Sequence, residues 1–254
     1  LFDHDILMRK FIDNDFPLHL SCWSLSFLED RKQIVKVANG VSSTAKICCG
    51  CPQGTLSGPN NFKLMINDLR FLLSYIKYVD DTSVPSMSKN PDDTSLQGAL
   101  NDLTAWCALN SMRLNTAKTN ETVIYFGKKY DLSHIKSLEC NDNVINRVDT
   151  FKLLGVFFNR DLTWSHHVDF ILKKAAKRIY FIYLLVKSGL KSSDVVSVYC
   201  SVIRSVLEYA SPVWHPGLTI AQSKLIEGVQ KRCLKIIFPE LDYNDALFIS
   251  GLQK

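Results

Sequence analysis

The apolar positions of the chain change period several times, and each change marks an element. Ile6, Leu7, Phe11 and Ile12 recur at helical spacing between Asp5 and Asp15, with His4 or Asp5 near the first turn and Pro17 as the stop. Leu20, Trp23 and Phe27 predict a second helix over 18–28. Alternation then replaces the helical period: residues 33–38 and 41–47 read as strands about the turn Asn39-Gly40. Pro52, Gly54, Gly58 and Pro59 make a loop that feeds a helix over 59–73. Residues 76–85 are strand-like, broken by Asp80-Asp81. Asn90-Pro91-Asp92-Asp93 predicts a turn and an N-cap for a helix carrying Leu96, Leu100, Leu103, Cys107 and a core Trp106. Strands follow over 122–126, in two short pieces about Asn141-Asp142-Asn143, and over 151–158. Beyond Asn159-Arg160-Asp161, read as a hinge, three helices are predicted over 164–188, 192–209 and 218–238, with Pro239 as the stop and a fraying tail. The pattern is that of an α+β chain whose last part is all helical.

Composition narrows this picture only slightly. A chain of 254 residues with 46% hydrophobic and 22% charged residues folds into one large domain or two modest ones. The formal charge of +5 matters more for its location. Residues 1–159 hold 17 Lys and Arg against 17 Asp and Glu, whereas residues 160–254 hold 13 against 8. The excess therefore lies in the helical part, which fits a phosphate backbone as partner, a basic solvated surface being the ordinary alternative. Lys173 and Lys177 on the first of those helices, and Lys224, Lys231 and Lys235 on the third, are the candidate nucleic-acid contacts. Leu225, Val229, Cys233 and Ile236 are the predicted core stripe of that third helix.

The eight cysteines do not form a metal-ligand pattern. Cys48-x-x-Cys51 has no second pair, and His166-His167, read as structural, lies too far away to complete one. Reduced, mostly buried thiols of an intracellular protein are expected. No signal segment opens the chain and no apolar run is long enough for a membrane span, so no membrane partner is expected.

Candidate chemistry centres on Asp80-Asp81. On a regular strand adjacent side chains face opposite ways, but at a hairpin tip two acids can approach one site. Two such carboxylates repel, and a hard divalent cation such as Mg²⁺ relieves the repulsion. An exposed Asp-Asp turn is the plain alternative. A serine-hydrolase elbow is excluded, because Gly54-x-x-x-Gly58 carries Leu56 where the nucleophile would stand. A metal-dependent nuclease finds no histidine or further acid motif beside Asp80.

The motifs also come in a recognisable order. Pro52-Gln53-Gly54 with Leu56-Ser57-Gly58-Pro59, then Phe62 and Ile66-Asn67-Asp68-Leu69, precede Tyr78-Val79-Asp80-Asp81-Thr82. Leu103, Trp106, Asn110, Leu114-Asn115, Lys118-Thr119 and Phe151-Lys152-Leu153-Leu154-Gly155-Val156 follow, with Trp164, His167, Leu207-Glu208-Tyr209-Ala210, Val213-Trp214, Pro216 and Gln230 beyond. In this order the chain resembles the reverse transcriptases of non-long-terminal-repeat retrotransposons over nearly its whole length.

The resemblance implies a partial polymerase palm, an antiparallel sheet with packed helices, over residues 1–159 and a helical, basic thumb over 160–254. It implies template-directed DNA synthesis by two Mg²⁺ ions, with Asp80 and Asp81 as metal ligands, an RNA template, a DNA primer and deoxynucleoside triphosphates as partners, and an intracellular or nuclear location. Gln53, Gly54 and Tyr78 would contact the nucleotide, Leu154 and Gly155 the primer end, and Lys118 would protonate the leaving pyrophosphate, a plain surface lysine being the alternative. In the family, the segment Asp3-His4-Asp5-Ile6-Leu7 follows a strand bearing the first catalytic aspartate. That strand and the fingers are not among these residues, so impaired activity is expected. The competing reading is a nucleic-acid-binding remnant without chemistry.

Overall fold

The computed structural model describes residues 2–90, 92–126 and 135–253. The described chain packs as two units, one holding residues 2–90, 92–121 and 135–146, the other 122–126 and 147–253. Pro91 of the predicted turn lies outside the described residues.

The first unit opens with helix α1 (His4–Asp13), capped by Asp3, whose carboxylate accepts the amides of Asp5 and Ile6 at 2.8 and 3.2 Å. Helix α2 (Leu18–Leu28) has the predicted bounds, although Trp23 is exposed. The strands predicted over 33–38 and 41–47 are broken into β1 (Lys32–Gln33), β2 (Lys36–Val37), β3 (Gly40–Val41) and β4 (Ala45–Lys46). β1 pairs with β4 and β2 with β3, both antiparallel. Helix α3 (Ser57–Met65) starts earlier and ends sooner than predicted, and β5 (Ile76–Tyr78) and β6 (Asp81–Ser83) form a hairpin. After α4 (Ser95–Leu109) comes β7 (Asn120–Glu121), just before the strand expected over 122–126. β8 (Glu139–Cys140) and β9 (Asn143–Val144) flank Asn141-Asp142 as expected.

Phe2, Ile6, Leu7, Phe11, Leu28 and Met65 form the core beneath α1, α2 and α3. Lys10 is buried beside it, 2.5 Å from the Asp68 carboxylate and 5.1 Å from the centre of the Trp106 ring. Trp106 itself is half-buried, so it is a lid on Lys10 and not the core residue its spacing predicts.

The second unit contains a hairpin of β11 (Thr150–Leu153) and β12 (Val156–Asn159), following β10 (Asn146–Arg147), and then only helices. Helix α5 (Ser165–Lys187) runs 23 residues with Val168, Ile171, Ala175, Ile179 and Ile182 inward. The second predicted helix is α6 (Ser192–Tyr199), continued by a π-helical turn (Cys200–Arg204) and the short α7 (Ser205–Leu207). Arg178 donates to the Val202 carbonyl within that π-helical turn. Short α8 (Ser211–Trp214) leads to α9 (Ile220–Ile237), which begins with a full capping box of Thr219 and Gln222.

The buried face of α9 is Gln230, Cys233, Leu234 and Ile237, which rotates the predicted stripe and leaves Leu225 exposed. The cause is polar. Gln230 accepts the Tyr199 hydroxyl at 2.9 Å and donates to the Tyr243 hydroxyl and the Gln253 carbonyl at 3.1 and 3.0 Å, so a glutamine can be buried fully paired. Burial and the carboxylate of Glu227, which accepts the Tyr243 hydroxyl, push that phenol up to about 12. Tyr243 opens α10 (Tyr243–Ser250), capped by Asp242, where a fraying tail was expected.

Helices and strands are mixed as the α+β reading requires, but the expected antiparallel sheet is absent as one layer. Among the described residues strands pair only two by two. No helix of the described residues is long and apolar enough to cross a membrane.

Candidate active site and nucleic-acid surfaces

In the β5–β6 hairpin Ile76 pairs with Ser83, Lys77 with Thr82 and Tyr78 with Asp81, which leaves Val79-Asp80 as a two-residue turn. The carboxylates thus stand at the tip, as the sequence predicts, with Tyr78 across the ladder from Asp81. Both acids and Tyr78 are exposed. Neither carboxylate accepts a hydrogen bond or ion pair from the described residues, so their oxygens remain available to a cation. Val79 holds φ at +55°. A β-branched residue seldom occupies this left-handed region, and strain of that kind collects at functional turns.

One lysine ties this tip to the body of the unit. Lys77 donates its ammonium to the carbonyls of Ile66 and Leu69 at 2.7 and 3.1 Å, with the Tyr75 ring 5.6 Å away. Burial lowers its pKa, against the pull of Tyr75. Those carbonyls belong to the turn after α3, so the hairpin is fastened to the end of the helix that the Gln53 loop begins. The sequence reading missed Lys77; its only signal is the polar position within Ile76-Lys77-Tyr78.

The Gln53 loop has its own staples. Thr55 donates its hydroxyl to the Pro52 carbonyl at 2.9 Å and accepts the Gly58 amide at 3.3 Å. A Cβ on Gly58 would lie 3.1 Å from the Cys51 sulfur, so the loop packs tightly at this position. Gly54 sits at φ +80° with open space about it, and Gln53 is exposed beside it. Backbone can therefore approach a ligand here without a side chain in the way. Desolvation raises the pKa of Cys51, which keeps the thiol protonated.

Lys118 is exposed on a turn built on Asn115, whose carbonyl accepts the amides of Lys118 and Thr119, each at 3.0 Å. Among the described residues no hydrogen bond or ring contact joins Lys118 or the Gln53 loop to the Asp80-Asp81 tip. The structure therefore sets Tyr78, Asp80 and Asp81 on one hairpin, and among the described residues the hydrogen-bonded link from that hairpin towards Gln53 and Gly54 runs through Lys77 and α3.

In the second unit Leu154 and Gly155 are the two turn residues between Leu153 and Val156, at φ +46° and +90°. Two successive positive φ values are those of the tight hairpin turn whose twist suits strand pairing. Tyr209 donates its hydroxyl to the Leu154 carbonyl at 2.8 Å, and a Cβ on Gly155 would lie 3.1 Å from its ring. Trp214 in turn donates its indole N–H to the Tyr209 carbonyl at 2.9 Å.

The candidate lysines differ from one another. Lys173, Lys177 and Lys224 are exposed, but Lys235 donates to the Pro239 carbonyl at 2.6 Å and Lys231 lies 5.0 Å from the centre of the Tyr243 ring. The last two are partly engaged by the chain itself.

Comparison with known proteins places the chain. Residues 2–158 match the family model for reverse transcriptase (RNA-dependent DNA polymerase). The RNA-directed DNA polymerase from mobile element jockey of Drosophila melanogaster is 25% identical over 213 residues, covering 78% of this chain and 23% of that protein. The probable RNA-directed DNA polymerase from transposon BS of the same organism is 25% identical over 256 residues, covering 92% of this chain and 27% of that protein. That from transposon X-element is 22% identical over 226 residues, covering 84% and 24%. The chain thus spans about a quarter of the length of the curated relatives it matches. No solved structure matches it. With the motif order, the matched span and these mobile-element relatives in agreement, the chain belongs to the reverse transcriptase (RNA-dependent DNA polymerase) family, of the kind found in non-LTR retrotransposons.

Proposed function

We propose that Asp80 and Asp81 are the metal-holding carboxylates of a template-directed DNA synthesis site, and that the carrying observation is their exposure, without a partner among the described residues, in the strained Val79-Asp80 turn and at the ladder position beside it. The donors fit the chemistry: hard oxygen ligands, adjacent in the chain, with no hydrogen bonds from the described residues to break. No third His, Cys, Asp or Glu joins them in a metal-binding group among the described residues. Mg²⁺ ions held there would activate the primer 3′-hydroxyl and neutralise the triphosphate and the departing pyrophosphate.

The chain's own residues take the remaining roles. Asp80 and Asp81 fix where positive charge stands. Gln53 and the bare backbone of Gly54 meet the incoming nucleotide, with Tyr78 beside the carboxylates. Lys118 gives its proton to the leaving group, and the Leu154-Gly155 tip holds the primer's last nucleotide. Lys173, Lys177 and Lys224, with the partly engaged Lys231 and Lys235, neutralise phosphates of an RNA template and DNA primer. This division of labour puts the palm in residues 1–159 and the thumb in 160–254, in a protein that works inside the cell, in the nucleus where its product would join DNA.

Two carboxylates hold two cations poorly, so the 254-residue polypeptide alone should extend a primer at most in traces. Joined in frame to the fingers and aspartate-bearing strand of an active family member, it should extend primed RNA with Mg²⁺. Asp80→Asn with Asp81→Asn should then abolish extension at unchanged template affinity. Extension that survives this double substitution would overturn the assignment. The two-carboxylate count also favours a second reading, nucleic-acid binding without chemistry. It requires salt-sensitive duplex binding that persists in the double variant and no extension by the joined polypeptide.

A further inference from the structure

Helix α5 carries a second stripe that the core does not use. Lys173, Lys177, Tyr180, Leu184 and Lys187 recur at intervals of four, three, four and three residues, which places them along one face opposite Val168, Ile171, Ala175, Ile179 and Ile182. Phe181 and Tyr183 flank this line. Tyr180 is 63% exposed, Phe181 57%, Tyr183 50% and Leu184 40%, on a helix whose other face is fully buried. The rings of Tyr180 and Tyr183 lie side by side, with centroids 6.3 Å apart and planes 25° from parallel. Large aromatic side chains left in water at this density mark a surface that binds something.

Charge decides what. From Phe170 to Lys187 the chain has three more aromatic residues and five cations, Lys173, Lys174, Lys177, Arg178 and Lys187, and not one acid. The cationic surface continues onto the preceding hairpin, where Lys152 lies 5.3 Å from the Phe170 ring. A second copy of the same face would repel it. A membrane-lying helix needs an unbroken apolar side, whereas here lysines stand on the same line as Tyr180 and Leu184 and bracket them. Flat rings between cations match a strand that offers bases and phosphates in alternation.

We infer that the outer face of α5 binds an unpaired stretch of nucleic acid, with Tyr180 and Tyr183 stacking on exposed bases and Lys173, Lys177 and Lys187 meeting its phosphates. The stripe from Lys173 to Lys187 is about 21 Å long at 1.5 Å per residue, room for several nucleotides. This deepens the proposed nucleic-acid reading and rests on it: phosphate contacts explain the lysines, but a duplex, with its bases stacked inside, gives the aromatic residues nothing to pair with.

The test is fluorescence anisotropy of the 254-residue protein with three labelled probes: a single-stranded twelve-nucleotide oligomer, an abasic strand of equal length, and a blunt duplex. Tyr180→Ala with Tyr183→Ala should weaken binding to the single strand roughly tenfold or more, by the usual worth of base stacking, and leave the abasic strand and duplex unchanged. Tyr180→Phe with Tyr183→Phe, which keeps the rings, should bind like the parent and guards against a folding artefact. Lys173→Ala with Lys177→Ala should shallow the salt dependence on the single strand by about 1.4 in the log–log slope. An alanine pair that binds single strand like the parent, or loses abasic strand equally, overturns the inference while lysine-dependent duplex binding leaves the thumb reading standing. Salt-insensitive binding to all probes overturns both. Preferential binding of anionic vesicles, or self-association lost in the alanine pair, assigns the face to another occupant and also overturns it.

Discussion

The ammonium of Lys77 donates to the Ile66 carbonyl at 2.7 Å, and this contact connects the carboxylate hairpin to the helix that begins at the Gln53 loop. A hairpin of three-residue strands has little stability of its own, so its position depends on such anchors. The same ammonium takes the Leu69 carbonyl at 3.1 Å. Lys77→Met keeps most of the apolar stem but takes this donor from the carbonyl of buried Leu69, while the Ile66 carbonyl keeps the Leu69 amide at 3.3 Å. It should destabilise the protein by about 1–3 kcal/mol in denaturant unfolding. A loss below the error of such a measurement would mean that other contacts place the tip.

Val79 offers a test of strain. Its φ of +55° costs a β-branched residue roughly 1–2 kcal/mol, and glycine is relieved of that cost while losing more chain entropy on folding. Val79→Gly should therefore leave the unfolding free energy unchanged or raise it by up to about 1 kcal/mol. A drop of more than about 1 kcal/mol would show that the side chain, exposed as it is, packs more than it strains.

Gly155 and Tyr209 should behave as a coupled pair. Tyr209→Phe removes the hydrogen bond to Leu154 and should cost about 0.5–1.5 kcal/mol. Gly155→Ala meets both a positive φ and the Tyr209 ring, and should cost more. Combining Gly155→Ala with Tyr209→Ala frees the space, so the double variant should lose less than the sum of the two. Strict additivity would contradict the contact.

His167 makes stability depend on pH. It is 1% exposed, its Nδ1 accepts the Phe157 amide at 3.4 Å, and its Nε2 has no hydrogen-bond partner among the described residues. Burial depresses its pKa below 6.5, so the folded state prefers the neutral ring while the unfolded chain takes up a proton at ordinary pH. Stability is then full above about pH 6.5, falls as pH drops through that value, and levels off below the folded pKa. Unfolding midpoints between pH 8 and 5 should show this fall, and His167→Leu should flatten it. Equal slopes for the two proteins would remove His167 as the cause.

What could be read from the sequence follows how local each cause is. The Asp80-Asp81 hairpin was legible because alternation on both sides of two acids leaves the turn as their only place. Helix 18–28 was legible from its spacing, yet nothing local says that Trp23 faces outward. Helix α3 was read too long because what stops it is distant: Lys77 occupies carbonyls of the turn that follows it and Asp68 turns away to Lys10. The stripe of α9 was misjudged because a polar residue, Gln230, is inside, paid for by partners on α6 and α10 that lie far along the chain. Tyr180 and Tyr183 were passed over for the opposite reason, since a hydropathy pattern counts a ring as core and only burial tells it from a surface.

The most direct test of the central claim is Mn²⁺-induced broadening of backbone amide signals in the 254-residue protein, with Mn²⁺ standing in for Mg²⁺. Broadening should centre on residues 78–82 and disappear in Asp80→Asn with Asp81→Asn. Broadening centred elsewhere, or unchanged in that variant, would contradict that claim.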